Sequence, residues 1–230
     1  MNICTVIPAR GGSKSIPHKN IRLLHGQPLV GHSIRYSLAC PLVGHTVVST
    51  DSAEIARIAR EQGAEVPFMR PVEHARDDTP DFPVFAHALR ELERLYRETI
   101  DLLVLLRPTS PLRPPGLIER AVALLEAHPE ASSVRSVAVS QEHPYRQWQS
   151  EGCFIRGFEQ TVFEPYNIPR QQLPTAYFQT GDLELIRRQT ILAGSISGPR
   201  VLPLLIDHEQ MVDIDHESDL RTAEQRMRGH

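Results

Sequence analysis

Arg10, Lys14 and Lys19 fall inside one short stretch, "ARGGSKSIPHKN", that also carries Gly11 and Gly12. Glycines let backbone N–H groups approach an anion closely, and three cations at this spacing supply charge for phosphate oxygens. A solvated basic turn is the plain alternative, but a polyphosphate is the ligand that uses all of these features together. The stretch matches neither G-x-x-x-x-G-K-[ST] nor G-x-G-x-x-G, so ATPase and dinucleotide readings lose their main support.

Near the other end, "VDIDHESDL" sets Asp213 and Asp215 on alternate positions. In an extended segment the i, i+2 spacing turns both carboxylates to one side. Two convergent carboxylates beside triphosphate-binding cations suit Mg2+, which keeps one or two carboxylates together with substrate phosphates and water. An acidic surface turn accounts for the same pair without a metal. Asp219 falls in the first turn of a helix, where the dipole favours negative charge, and is read as a bystander.

Ligands of parallel α/β sheets sit at the carboxyl ends of strands, and two further groups of candidates lie there. "STD" places Ser49 and Asp51 at one strand end, with Asp51 either a ribose or base contact or a helix N-cap. "RPTSPLR" gathers Arg107, Thr109, Ser110 and Arg113 at another. Donors with no base or nucleophile beside them suit binding rather than covalent catalysis, and no G-x-S-x-G elbow occurs. The histidines, among them His18, His143 and His216, are scattered and read as structural or solvated.

What must position these groups is a succession of strand, loop and helix. "ICTVIP" reads as a buried strand, and "DLLVLLRP" is an uninterrupted apolar run of the kind covered on both faces of a parallel sheet. "HTVVST", "AEVPFM", "ASSVRSVAV" and "RVLPLLI" are further strand candidates, and "GDLELIRRQTIL" reads as a weak strand and helix. Helical spacing links Leu29, Val30, Ile34 and Leu38, then Ile55, Ala56, Ile58 and Ala59, the latter opened by Asp51 or Ser52 and stopped at Gly63. It returns at Val84, Ala88, Leu89, Leu92 and Leu95, in "PPGLIERAVALLEAHP", and in "SDLRTAEQRMR" opened by Ser218. This alternation predicts an α/β fold, a mainly parallel sheet flanked by helices with right-handed crossovers.

From Gln141 to Thr180 the rhythm breaks into short alternating pieces rich in Pro, Gln and Tyr. We read an inserted antiparallel arm, whose aromatic and polar mixture suits a partner interface or a substrate lid; an irregular surface excursion is the alternative.

Composition limits the partners. The 230 residues fit one domain, 1–230, able to bury roughly 70% of its unfolded surface. A net charge of -3 and a pI near 6.4 argue against a nucleic-acid footprint. Cys4, Cys40 and Cys153 show neither disulfide nor zinc spacing. The first apolar run is too brief for a signal peptide, and no stretch approaches the ~20 apolar residues of a membrane span. A soluble, reduced, cytoplasmic protein is expected.

In order and over nearly the whole chain, "IPARGGSKSIPHKN", "VVSTD", "RPVEHARDDTP", "LLRPTSPLR", "PRQQLP" and "VDIDHESDL" resemble the motifs of the acylneuraminate cytidylyltransferases, which make CMP-sialic acid and its bacterial relatives. The resemblance implies a nucleotide-diphospho-sugar transferase-like fold and a homodimer formed through the inserted arm. It implies that Arg10, Gly11, Gly12, Ser13, Lys14, Lys19, Asn20, Ser49, Asp51, Arg70, Asp78, Thr109 and Ser110 hold the nucleotide, with Arg10, Lys14 and Lys19 stabilising the charge of the reaction. Mg2+ falls to Asp213 and Asp215. Arg107, Arg170, Gln171, Gln172, Gln179, Gly181 and Asp182 fall to the acceptor. The implied reaction joins CTP to an acidic sugar, giving CMP-sugar and pyrophosphate.

Two positions depart from the pattern. Arg107 stands where the family often has Gln, and Thr180-Gly181-Asp182 where it often reads Asn-Gly-Ala. A carboxylate at 182 would repel an acceptor carboxylate unless Arg107 or a metal compensates. The departures leave open another acidic sugar, another nucleoside triphosphate with a sugar phosphate or phosphonate, and a homologue that binds nucleotide without turnover.

Overall fold

The computed structural model describes residues 1–207 and 211–228. Six strands, β1 (Ile3–Pro8), β4 (His45–Ser49), β5 (Leu102–Leu105), β6 (Ser133–Val139), β9 (Tyr177–Arg187) and β10 (Val201–Leu205), form the main sheet. Its order is β4-β1-β5-β9-β6-β10. The pairs β1–β4, β1–β5 and β6–β10 are parallel, whereas β9 runs antiparallel to both β5 and β6. Two short pairs complete the strands: β2 (Leu23–Leu24) with β3 (Gln27–Pro28), and β7 (Trp148–Glu151) with β8 (Phe154–Gly157).

The continuous apolar strands are explained by burial on both faces. In β1, Ile3 and Ile7 join one core while Cys4 and Val6 join the other; in β5, Leu102 and Val104 take the first side and Leu103 and Leu105 the second. The first core is closed by α1 (Leu29–Leu38), α2 (Ala53–Glu61) and α4 (Leu117–Ala127). The second is closed by α3 (Asp81–Tyr96) and the short α5 (Arg188–Leu192). Phe85, Leu89 and Leu92 of α3 are buried there, each contributing ~2 kcal/mol by removal from water.

A third apolar cluster bears directly on the site. Ile16, Leu24 and Leu29 pack with Val212, Ile214, Leu220 and Ala223, joining the basic loop to the segment before α6 (Glu217–Arg228) and to α6 itself. Burial there alternates, Val212 and Ile214 inward and Asp213 and Asp215 outward. That is the extended alternation expected of the paired aspartates.

Several expectations are corrected. "AEVPFM" forms no strand, only an isolated bridge from Glu65 to Val47, because Pro67 has no N–H to continue a ladder. The cap of α2 is Ser52, whose Oγ accepts from Ile55 N at 3.4 Å, and not Asp51. Ser218 does not open α6. The helix starts at Glu217, and Asp219 reaches back to accept from the backbone N–H groups of His216 at 2.7 Å and Asp215 at 2.9 Å, one half of a capping box. Asp219 therefore holds the acidic segment in place and is no bystander. The stretch expected as a weak strand is an eleven-residue strand near the middle of the sheet, and it takes in the last residues of the 141–180 segment.

Candidate functional site

Arg10, Ser13, Lys14, Lys19, Asn20, Arg70, Arg107, Thr109 and Asp215 line one cleft of about 530 Å³ at the carboxyl ends of β1, β4 and β5. The loop after β1 is shaped by contacts from elsewhere in the chain. Gly11 N donates to Asp51 Oδ1 at 2.9 Å, and Asn20 Nδ2 donates to the carbonyl of Arg10 at 2.9 Å. A Cβ on Gly11 would stand 3.1 Å from Ser52 Cβ, so a side chain there would press the loop away from the start of α2. Asp51 and Asn20 thus hold the loop while Arg10, Lys14 and Lys19 remain on its cleft side.

Lys19 ties three motifs together. Its side chain is only 14% exposed, and Nζ donates to Ile214 O at 3.1 Å and to Asp215 Oδ1 at 3.2 Å. Ile214 N in turn donates to Thr109 O at 2.8 Å. The basic loop, the segment after β5 and the acidic segment therefore meet at one end of the cleft. Burial raises the Asp213 carboxyl above its usual range against a hydrogen bond from Thr109, and the neighbouring charge of Asp215 adds to the rise.

Arg70 forms the deep wall. It is buried, donating from Nε to Ser49 Oγ at 3.1 Å and from its terminal nitrogen to Ser49 O. Burial brings its guanidinium down to about 10, against the pull of Asp51 and Asp81, which leaves it charged at neutral pH. Ser49 is itself fully buried and bears on the cleft only by holding Arg70.

Arg107 is not a free cation. It donates to Asp81 at 2.6 and 3.3 Å and to Glu184 Oε1 at 3.0 Å. Burial would lower this guanidinium, but Asp81 and Glu184 outweigh it and hold it above the usual arginine range. The other oxygen of Glu184 accepts from Arg135 at 2.5 Å, and Arg135 also donates to Gln179 Oε1 at 2.9 Å. Two guanidiniums and two carboxylates thus form one linked group that reaches the cleft wall at Arg107 and Asp81.

Other predicted residues lie elsewhere. Asp182 is 2% exposed and does not line the cleft; its carbonyl accepts from Arg113 Nε at 2.6 Å, while Oδ1 has no hydrogen-bond partner among the described residues. Burial raises its carboxyl, with Thr180 and Arg113 opposing and Asp213 adding to the rise. Asp182 is therefore under the surface and does not face an acceptor, and Arg107 compensates Asp81 and Glu184 instead. Ser110 is buried with its Oγ against Gly181, where a Cβ would come within 2.4 Å; glycine at 181 is what allows that approach. Asp78 is absent from the cleft lining, whereas Asp77 enters it. Gly12 touches nothing that a side chain would disturb. Arg170, Gln171 and Gln172 make an exposed turn on the arm outside the cleft.

Motif reading missed Asp77, Asp81, Arg135 and Glu184. Asp77 lies within "RPVEHARDDTP", one position from the Asp78 assigned there, and Asp81 stands at the first turn of α3; Arg135 and Glu184 are single charged residues with no motif spacing. Among the described residues no three His, Cys, Asp or Glu side chains gather as a metal group. Two outward carboxylates are oxygen ligands of the kind Mg2+ takes together with substrate phosphates and water, so Asp213 and Asp215 fit a hard divalent cation.

Comparison with known proteins identifies the family. Residues 4–191 match the family described as Cytidylyltransferase. The chain is 32% identical to the CMP-N,N'-diacetyllegionaminic acid synthase of Legionella pneumophila, covering 99% of this chain and 97% of that one. It is 29% identical to the N-acylneuraminate cytidylyltransferase of Escherichia coli O18:K1:H7, over 96% of this chain and 51% of the relative. Among solved structures, CMP:2-keto-3-deoxy-manno-octonic acid synthetase complexed with CTP shares the fold with a TM-score of 0.72 at 15% identity, covering 100% of this chain and 99% of that one.

Proposed function

Because the chain belongs to the cytidylyltransferase family, we propose that it joins CTP to an acidic sugar of the sialic or legionaminic acid type, giving the CMP-sugar and pyrophosphate. The observation that carries this reading is the meeting of Lys19, Asp215 and the segment after β5 at one end of a cleft lined by Arg10, Lys14 and Arg70. The oxygen of a sugar hydroxyl attacks the α-phosphorus of CTP and gives up its proton to solvent, the bond from the α-phosphorus to the bridging oxygen breaks, and pyrophosphate leaves with that oxygen.

In this reading Arg10, Lys14 and Lys19 hold the phosphate oxygens and offset the charge that grows on the leaving pyrophosphate. Asp213 and Asp215 hold Mg2+, which when bound supplies further neutralisation of the phosphates. No covalent nucleophile is required. The acceptor lies toward β9, with Arg170, Gln171 and Gln172 brought to it by the arm of a homodimer, and the cytoplasm is the proposed compartment.

The test is pyrophosphate release with Mg2+, pairing CTP, GTP, UTP and ATP with N-acetylneuraminic acid, N,N'-diacetyllegionaminic acid and common sugar 1-phosphates. Turnover is expected with CTP and one of the two acids. Turnover confined to another nucleotide or to a sugar phosphate overturns the reading, as does CTP binding with no release for any acceptor.

A further inference from the structure

Arg10 and Lys14 share one carboxylate. Asp77 accepts from the Arg10 guanidinium on one oxygen and pairs with the Lys14 ammonium through the other. Two oxygens of one anionic group on two cations is also how a phosphate group would be held. Resting on the reading above, we propose that Asp77 is the internal counter-ion of the phosphate subsite: the substrate phosphate must displace it, and Asp77 thereby sets the affinity of the site for the triphosphate.

The surrounding chain is built for such a displacement. Residues 71–79 form an excursion between two anchors. Before it, Arg70 N donates to Thr50 O at 2.7 Å and the Arg70 side chain is fixed on Ser49. After it, Asp81 is clamped by Arg107. Within the excursion the hydrogen bonds are its own, His74 N to Pro71 O, Ala75 N to Val72 O, Thr79 N to Arg76 O and Thr79 Oγ1 to Glu73 O. Its polar links to the rest of the described chain run from Asp77 alone, beside one ring contact of His74 with His87 at 5.7 Å. Releasing one carboxylate therefore frees the segment from the cleft without breaking a ladder or a core.

The charges favour the exchange. Lys14, then Arg10, hold the Asp77 carboxyl below its usual range, so it stays ionised as a counter-ion must. Asp77 and Lys14 are both substantially exposed, and such pairs are individually weak. A triphosphate carries several charges against the single one of Asp77, so it competes successfully. Asp77 lowers affinity without preventing binding, and it keeps the cationic loop from capturing stray anions.

The experiment is isothermal titration of CTP and, separately, of inorganic pyrophosphate into wild type, Asp77→Asn and Asp77→Ala, at low and at moderate salt. Both variants are expected to bind both ligands about threefold to tenfold more tightly, the gain shrinking as salt rises. Amide exchange of residues 71–79 in the unliganded protein is expected to accelerate in Asp77→Asn. Unchanged or weaker affinity in both variants overturns the proposal. Normal CTP turnover with no gain in pyrophosphate affinity removes the counter-ion and leaves the cytidylyl reading intact. Tighter pyrophosphate binding in a protein that releases none from CTP keeps the counter-ion and removes the reading.

Discussion

The guanidinium of Arg107 donates to the buried carboxylate of Glu184 at 3.0 Å, and the same nitrogen reaches Asp81 at 2.6 Å. The structure balances the charge of Arg107 with these two carboxylates. Glu184 is 3% exposed and also carries Arg135, so its two oxygens serve two guanidiniums taken partly out of water.

Removing Glu184 leaves both cations short of a partner. Breaking a buried pair from one side costs about 3–5 kcal/mol, so Glu184→Ala should lower the urea midpoint clearly. Glu184→Gln keeps hydrogen-bonding atoms and should cost less. Equal stability of Glu184→Ala and wild type would show that the network contributes nothing.

The paired aspartates should govern the response to metal. Asp213→Asn and Asp215→Asn each remove one charge from an outward-facing pair, so melting temperature should change little while Mg2+-dependent pyrophosphate release falls by about 10²–10³ or more. Mn2+ binding, followed by electron paramagnetic resonance, should weaken in parallel. Wild-type rates in both variants would remove Asp213 and Asp215 from the metal site.

Much of this was legible because periodicity reports burial. The run that became β5 is apolar at every position and that of β1 at all but Thr5, as suits strands covered on both faces. Strand β9 was harder, since Gln179, Thr180 and Gly181 interrupt its apolar pattern where it serves the polar floor and the Ser110 contact. "AEVPFM" had the composition of a strand, but only Glu65 bridges, to Val47, and Pro67 ends the pairing. Within the site, the cations of the Arg10 to Asn20 loop could be read from local spacing. Their partners could not: Asp77 is 67 residues from Arg10, and Asp51 lies 40 from Gly11. Asp51 and Ser52 are both good caps by type, and the fold alone decides that Ser52 caps the helix while Asp51 turns to the loop.

Asp182 yields a prediction about pH. Burial raises its folded-state carboxyl above the ordinary 3.8, so the fold is favoured while the group is protonated and loses that advantage as pH rises through the folded value. Asp182→Asn cannot ionise and should melt at a higher temperature than wild type at pH 7. The gain should vanish below about pH 4, where wild type is protonated in both states. A lower melting temperature for the variant at pH 7 would show that the carboxylate is a net stabilising partner of Arg113.

The arm carries the prediction about assembly. A two-stranded hairpin is marginal by itself in water, yet Phe154 of β8 is 74% exposed and Ile155 66% exposed, and Phe158 and Phe163 are exposed in the residues that follow. Trp148 and Tyr166 pack on one another at 4.3 Å within the arm, so the exposed set is additional to the arm's own core. An apolar surface of this kind marks an interaction site, and a second copy of the chain is the proposed occupant. Light scattering should then give twice the 25.9 kDa chain mass. Burying Phe154 and Ile155 is worth about 2 kcal/mol each, so Phe154→Asp with Ile155→Asp should weaken association by about 10³ or more. The doubly substituted chain should remain folded and elute as a monomer, because neither residue belongs to a core cluster. A wild-type monomer at micromolar concentration, or a dimer indifferent to both substitutions, would place the assembly surface elsewhere or remove it.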